Sequence, residues 1–328
     1  MGQELNLSEI PDEDLKAFVK SFLKKIRNIT DESQRFLLLK TAEVLAEFGR
    51  IEAALDVVKN IPDEDEFAEA LIHIVEKLAE AGKICEAIEL VKNIPDEEDR
   101  LWAMMCVAEA IIKTGRTDKI DKALDEALEI VRNLPDKDEY SSTLSDVAEI
   151  FARIGRIDAA LEIARDIPDE EYHLRALIGV AEALIDSGKT ERANQILDEI
   201  LELIKGGVEC PWVLVDIART LAMAGRIDDA LKVARDIPDE ESPLSALVNV
   251  AEVLIDSGKM EKANEVLDMI MEAVKTDKKK YPGILAEAAA VLAEAGRIRD
   301  SLEVAKNIRN TYILSKALSR ISEIISNK

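Results

Sequence analysis

Glutamate residues recur along the chain at regular intervals of 33, 33, 40 and 33 residues, and one more continues the series after a gap. They are Glu43, Glu76, Glu109, Glu149, Glu182 and Glu252. A pair of carboxylates can act as the general acid and base of glycoside hydrolysis. Active sites are singular, whereas this row is repeated, so the pattern indicates no enzyme. Two interpretations of the row remain. One is a line of surface charges that attracts a basic partner, and the other is a solvated helix face, since glutamate is a good helix former.

Three other residues have defined positions relative to the glutamate series. Arg219 stands where the series would have a glutamate, and it can neutralise the flanking charges or change the local specificity. Trp102 and Trp212 lie seven residues before Glu109 and Arg219, respectively. Tryptophan is enriched in binding hot spots, although a tryptophan at a helix start can instead pack on a neighbouring helix. Together with the glutamates, these residues form the predicted partner-binding site.

Other residue types that could do chemistry are scattered. His73 and His173 are a hundred residues apart, and no phosphate-binding GxxxxGK[ST] motif occurs. The cysteines are odd in number and far apart, and they lack the spacing of a metal site. They are Cys85, Cys106 and Cys210. We expect them to be small buried residues in a reducing compartment, without disulfide or metal, and we expect no cofactor.

Composition restricts the class of protein and of partner. Apolar residues are 48% and charged residues 34%, which is too apolar for a disordered chain. The net charge of -24 repels phosphate backbones and anionic membranes, so neither nucleic acid nor a membrane is an expected partner. The basic run KTDKKKY at 275 is most simply a solvated loop, with an anion contact as the alternative. There is no apolar window of membrane-spanning length and no signal peptide at the start, so we expect a soluble, cytoplasmic protein.

A glycine followed by Arg or Lys repeats along the chain and predicts eight helical hairpins. The glycines are Gly49, Gly82, Gly115, Gly155, Gly188, Gly225, Gly258 and Gly296. Apolar residues before each glycine follow steps of three and four, which is typical of an amphipathic helix, here called helix A. Glycine adopts the left-handed conformation that ends such a helix, and helix B follows. An Ala or Val seven residues before the glycine, and commonly an Ala five residues after it, would let the two helices approach closely.

The repeat also defines the domain organisation. We predict an N-terminal capping helix in 1–30, eight hairpins in 31–310, and a C-terminal capping helix in 311–328, within one continuous solenoid. Helix B is long in 117–133, 190–205 and 260–275 and short elsewhere, so pairs of hairpins begin at 82, 155 and 225. Phrases such as NIPDEDE at 60 end the short helices, since Pro cannot continue a helix and Asp can cap the next one. Nothing demands an oligomer, and a monomer is possible.

These hairpins resemble the tetratricopeptide repeat, which has a unit of about 34 residues with small residues at positions 8 and 20 and a turn glycine between its helices. Ala181, Gly188 and Ala193 occupy those places. Leucine replaces the family's aromatic residue at position 11 in several hairpins, so the branch is divergent. The resemblance implies an all-α, α/α superhelix whose A helices line a concave groove for peptides or partner domains. We number positions accordingly, with the turn glycine as position 15.

The family's clamp for a partner's terminal carboxylate is missing. The clamp needs Lys at position 5, where this chain has Leu39, Ile72 and Met105, and Asn at position 9, where it has glutamate. We therefore expect an interaction scaffold that binds a basic peptide or domain in an acidic groove, with no catalysis. The alternative is a non-catalytic structural or regulatory subunit that docks in a larger assembly through its long B helices.

The amino-acid balance leads to a first prediction. Only three Gln occur beside abundant Glu, Lys and Arg, a balance reported for proteins of hot environments. We expect a thermal unfolding midpoint above about 65 °C, the upper end of the range for mesophilic domains. Circular dichroism during heating measures it, and a midpoint within the mesophilic range would contradict the interpretation.

Overall fold

A computed structural model describes residues 11–26, 32–114, 125, 128–134, 137–207, 210–276 and 281–326. Throughout this part of the chain the secondary structure is helical, and no strand is present. The predicted all-α class, built from antiparallel helix hairpins of the solenoid type, is confirmed. Gly115, most of the predicted helix 117–133, and the basic residues 277–280 lie outside the described residues.

The helices follow one another with short connections. In the first half they are α1 (Asp12–Ile26), α2 (Glu32–Glu47), α3 (Ile51–Val58), α4 (Glu64–Glu80), α5 (Ile84–Val91), α6 (Glu97–Thr114), α7 (Ser141–Arg153) and α8 (Ile157–Arg165). Then come α9 (Glu170–Asp186), α10 (Thr190–Leu203), α11 (Pro211–Met223), α12 (Ile227–Asp236), α13 (Ser242–Asp256), α14 (Met260–Thr276), α15 (Pro282–Glu294), α16 (Ile298–Ala305) and α17 (Thr311–Ser326). Residues 128–132 are also helical.

Each described turn glycine adopts a positive φ. At Gly188 φ is +74°, a conformation that residues with a Cβ rarely adopt. The Gly188 amide donates to the carbonyl of Ile185, and the next amide, of Lys189, donates to the carbonyl of Leu184. The same pair of bonds closes the other described A helices at their turn glycines. These bonds satisfy carbonyls that the helix end would otherwise leave unpaired.

Small side chains fill the interior of each hairpin. Ala42 at position 8 and Ala54 at position 20 are both fully buried, as are their counterparts Ala181 and Ala193. In the last hairpin Ser301 takes position 20, and its buried hydroxyl donates to the carbonyl of Ala289, at position 8, over 2.6 Å. The bond shows directly that position 20 of helix B lies against position 8 of helix A.

Asp residues of the repeated phrase cap the following A helices. The Asp63 carboxylate accepts from the amide of Glu66 at 3.1 Å, as its place three residues before a glutamate predicts. Asp96 and Asp169 accept in the same way from the amides three residues later. Asp239 is held by the amides of Glu241 and Ser242 and by the Ser242 hydroxyl. Asn310 caps α17 with its side-chain oxygen.

The chain divides into two compact units, Met1–Ala176 (unit 1) and Leu177–Lys328 (unit 2). In unit 1 the A helices α2, α4, α6 and α7 pack side by side, and α1 packs on the B helix α3. In unit 2 the A helices α11, α13 and α15 pack likewise, and α17 follows them by packing on α15. Helix α1 therefore packs against a B helix, and α17 packs against an A helix.

Within the described residues, none of the helices combines the length and the apolar character that crossing a membrane requires.

The turn geometry supplies a test of the hairpin model. Gly188→Ala should destabilise the protein by about 1 to 2 kcal/mol, the cost of left-handed backbone for a residue with a Cβ. Because no atom lies within 4 Å of the added Cβ, steric crowding adds nothing. Gly283→Ala is the matched control: the residue is helical, has no positive φ, and also has open space around it, so the change should be neutral or stabilising. Denaturant unfolding of both variants measures the difference, and equal effects would refute the assignment.

Candidate partner-binding face

Positions 2 and 9 of each A helix lie on one face, because seven residues make almost two turns of an α-helix. We call this surface the A-face. Its members at position 9 are Glu43, Glu76, Glu109, Glu149, Glu182, Arg219 and Glu252. In unit 1 the A-face has Trp102 and Glu109 on α6, and Phe36 and Glu43 on α2. The sequence-predicted residues therefore fall on a common helix side within each unit.

Three of the four position-9 glutamates of unit 1 have cations in their own helices. Lys40 contacts Glu43 at 2.6 Å, Lys113 contacts Glu109 at 3.5 Å, and Arg153 contacts Glu149 at 3.9 Å. The Glu76 carboxylate lies 3.7 Å from Nδ1 of His73. Partly exposed pairs at these spacings contribute only a few tenths of a kcal/mol, since water and salt screen them. The carboxylates therefore remain accessible to an incoming charge.

Carboxylates from two neighbouring A helices of unit 1 both affect the pKa of one thiol, that of Cys106. Cys106 on α6 is half-buried, and burial is the main cause that raises the pKa of its thiol to about 11. The charges of Glu76 and Glu109 raise that pKa further, and Lys113 opposes them. Because Glu76 belongs to α4 and Glu109 to α6, both helices direct negative charge toward Cys106. The charges of Glu76 and Glu109, from two neighbouring helices, therefore both act on the surroundings of Cys106.

In unit 2 a position-9 glutamate is paired with a cation from another helix. The Arg219 guanidinium on α11 contacts Glu182 on α9 at 2.5 Å, and the buried Thr220 hydroxyl donates to the same carboxylate at 2.7 Å. Neutralisation of Glu182 by Arg219, one of the two interpretations of that residue, is therefore observed. Farther along, burial raises the pKa of Glu287, with Arg320 opposing the shift and Glu252 adding to it. Position 9 of unit 2 thus carries an ion pair at Arg219 and, at Glu252, a carboxylate whose charge acts on Glu287.

Aromatic side chains at position 2 protrude from the A-face. Trp102 is 52% exposed and Trp212 is 44% exposed. Phe36 shares their position and is 60% exposed, but the sequence reasoning missed it. The signal was available, because Phe36 lies thirteen residues before Gly49, as Trp102 does before Gly115. Single exposed apolar side chains are common on protein surfaces, but tryptophan is enriched among the residues that dominate binding energy.

The remaining candidates have ordinary surroundings. His173 Nδ1 lies 2.6 Å from the Ala164 carbonyl oxygen, a contact that anchors the start of α9. Cys85 is exposed and Cys210 half-buried, so the expectation of buried cysteines is wrong, most clearly for Cys85 on the solvent side of α5. Among the described residues, no group of three or more His, Cys, Asp or Glu side chains is arranged to hold a metal ion.

Comparison with known proteins gives one family and several structures. The family model of the tetratricopeptide repeat matches residues 99–167. No curated protein matches the sequence. The chain is similar to Ton1535 from Thermococcus onnurineus NA1, at 19% identity and a TM-score of 0.36, over 89% of this chain and 92% of that chain.

Two further solved structures resemble the chain. One is PH0952 from Pyrococcus horikoshii, a signal transduction ATPase with numerous domains and a tetratricopeptide repeat sensor. It is 18% identical, with a TM-score of 0.36, over 96% of this chain and 54% of that chain. The other is a Rap protein complexed with competence and sporulation factor. It is 14% identical, with a TM-score of 0.33, over 97% of this chain and 99% of that chain.

The pKa of the Cys106 thiol can be measured to test whether the negative charge of α4 acts on α6. In a Cys85→Ser, Cys210→Ser background, the alkylation rate should rise with pH until about pH 11, because the raised pKa keeps the thiol protonated at lower pH. At pH 8 only roughly one thiol in a thousand would be ionised. Adding Glu76→Gln should lower the pKa and speed alkylation at pH 8, whereas Glu86→Gln on α5 should not. A rate profile unaffected by Glu76→Gln would show that α4 and α6 do not share this surface.

Proposed function

We propose, from the finding that this chain is a tetratricopeptide-like helical repeat protein, that it binds a basic peptide or protein domain on the A-face of unit 1. Repeats of this type are generally protein interaction scaffolds and generally non-catalytic. The proposal adds the location, the chemistry of the partner, and the absence of catalysis. The acidic side chains of the A-face then serve to attract the partner and to fix its orientation.

One observation carries the proposal: Trp102 protrudes from α6 on the same helix face as Glu109, beside α4 with Glu76. An indole face attracts an Arg or Lys side chain through its π electrons, and nearby carboxylates pair with the same cation. Glu69 is also exposed and occupies position 2 of α4, the position of Trp102 in α6. A basic side chain would therefore meet an aromatic plane and several carboxylates together.

Exposure also favours the A-face over docking through the long B helices. The most exposed large apolar residues of the long helices α10 and α14 are Leu203 at 37% and Met260 at 38%. Phe36 and Trp102 on the A-face are larger and more exposed. Binding energy concentrates in aromatic side chains that become fully covered, so the A-face offers better anchors.

A charge-matched comparison tests the proposal. The A-face variant replaces four glutamates of unit 1 by Gln: Glu43, Glu76, Glu109 and Glu149. The control variant makes the same change on B helices, at Glu52, Glu86, Glu191 and Glu303, so both lose the same net charge. The probes are a panel of short acetylated peptides rich in Arg and Lys, titrated by calorimetry and by Trp102 fluorescence in a Trp212→Phe background.

We expect the A-face variant to weaken binding about tenfold, from four partly exposed ion pairs of a few tenths of a kcal/mol each. The control should change affinity much less, and affinity for the parent protein should fall as salt rises. Equal weakening by both variants would mean that net charge alone attracts the peptides. Binding that is insensitive to Trp102→Ala and to both sets of changes would contradict the A-face and favour docking through the long B helices.

A further inference from the structure

The last helix, α17, has the register of an A helix. Asn310 caps it as Asp63 caps α4, and the buried Ile308 and Ala317 correspond to Ile61 and Ala70. With this alignment, position 4 is Leu318, position 8 is Ser322 and position 11 is Ile325. Helix α17 buries Ala317 and Ile321, on the side that packs on α15. Its other apolar side is formed by positions 4, 8 and 11.

Positions 4, 8 and 11 form the side of an A helix that faces its B helix. Steps of four and three residues place them on one face, and the bond from Ser301 to Ala289 shows that position 8 abuts helix B. At position 4 the residues are Leu38, Leu71, Met104, Leu144, Leu177, Leu214, Leu247 and Leu285, all buried. Leu318 has the same residue type at this position but is 42% exposed.

The same difference between buried hairpin residues and an exposed residue of α17 is found at position 11. In the hairpins its residues are Leu45, Leu78, Ile111, Phe151, Leu184, Leu221, Leu254 and Leu292, all buried. Ile325 is 46% exposed, and Ser322 at position 8 is also exposed although small residues there are otherwise enclosed. Helix α17 thus keeps the residue types of a hairpin interior without a B helix against them in the described part of the chain.

This side of α17 is complementary to itself. It contains Thr311, Leu314, Leu318, Ser322 and Ile325. When two copies of α17 lie antiparallel about an axis at Leu318, Leu314 faces Ser322 and Thr311 faces Ile325, so these two large side chains each meet a smaller one, and Leu318 meets its own copy on the axis. An antiparallel neighbour is also what α2, α4 and α15 have in their own hairpins. A two-fold axis gives that direction automatically.

We propose that α17 is a self-association surface, on which α17 of a second copy of this chain takes the place of a B helix. Charge is consistent with this choice, because α17 carries Lys316 and Arg320 against Glu323 in a chain with net charge -24. Repulsion between copies is therefore smaller here than at the acidic surfaces.

The first helix of a second copy is a poorer occupant. Counted back from its closing phrase RNITD, which matches KNIPD after α3, α1 has Phe22 at position 20, where α3 and α5 have Ala54 and Ala87. The Phe22 ring stacks on Phe18, with ring centroids 6.3 Å apart. This bulk prevents the close approach that the small residues allow elsewhere.

The interface is small. Sixteen residues make a helix about 24 Å long, and a pair of such helices buries less than a standard protein interface. We therefore expect weak, reversible dimerisation with a dissociation constant of about 1 to 100 µM. Sedimentation equilibrium of the whole chain over that concentration range measures it.

Single substitutions separate this mode from its alternatives. Leu318→Glu places a charge at the axis in both copies and should weaken the dimer at least about a hundredfold. Phe18→Glu changes an exposed residue of α1, the alternative occupant, and should have no effect, as should Leu203→Glu on α10. Thermal melting of each variant verifies that the monomer remains folded, which the exposure of all three residues favours.

A charge exchange tests the antiparallel register. Leu314→Lys and Ser322→Glu should each weaken association, and the two changes combined should restore it at least about tenfold relative to either single variant, because the new charges face each other across the interface. They are eight residues apart within one helix and cannot pair there. A protein that stays monomeric at all concentrations overturns the proposal. So does a dimer that Phe18→Glu disrupts, which would indicate head-to-tail association through α1, or one that Leu318→Glu leaves intact.

Discussion

The hairpins whose two helices the structure describes depend on the contact between position 8 of helix A and position 20 of helix B. The small residues at these two places do not hold the helices apart, so the larger residues at positions 4 and 11 can close around the contact and become buried. Ser301 shows how strict the requirement is, because the one polar residue at this place is small and gives its hydroxyl to the backbone of Ala289. Positions 2 and 9 turn away from this contact. They are therefore free to vary in charge and size without disturbing the hairpin.

Local signals made the helix boundaries predictable from the sequence. The C-terminal helix expected within 311–328 is Thr311–Ser326, and the described turn glycines have the left-handed backbone that their place indicated. Both depend on residues adjacent in the chain, namely a glycine that ends one helix and an Asp or Asn that caps the next. Such interactions need no knowledge of neighbouring repeats.

Contacts between helices were harder to predict. Arg219 could be expected to neutralise a glutamate from its position alone, but the Thr220 hydroxyl on the same Glu182 carboxylate could not. That bond exists because position 10 faces the preceding A helix, which the pattern within one helix does not reveal. Cys85 was misjudged for a related reason, since the usual burial of cysteine says nothing about which side of α5 it occupies.

The two proposals use different helices, so association and partner binding are compatible. Partner binding uses the A-face of unit 1, around Trp102, whereas association uses α17, which belongs to unit 2. A dimer formed through α17 would carry two A-faces. For a partner with two basic segments, the second contact would form at the effective concentration set by the first, and weak individual contacts would give a tighter complex. A modest affinity at each Trp102 site is therefore compatible with selective binding of a bivalent basic partner.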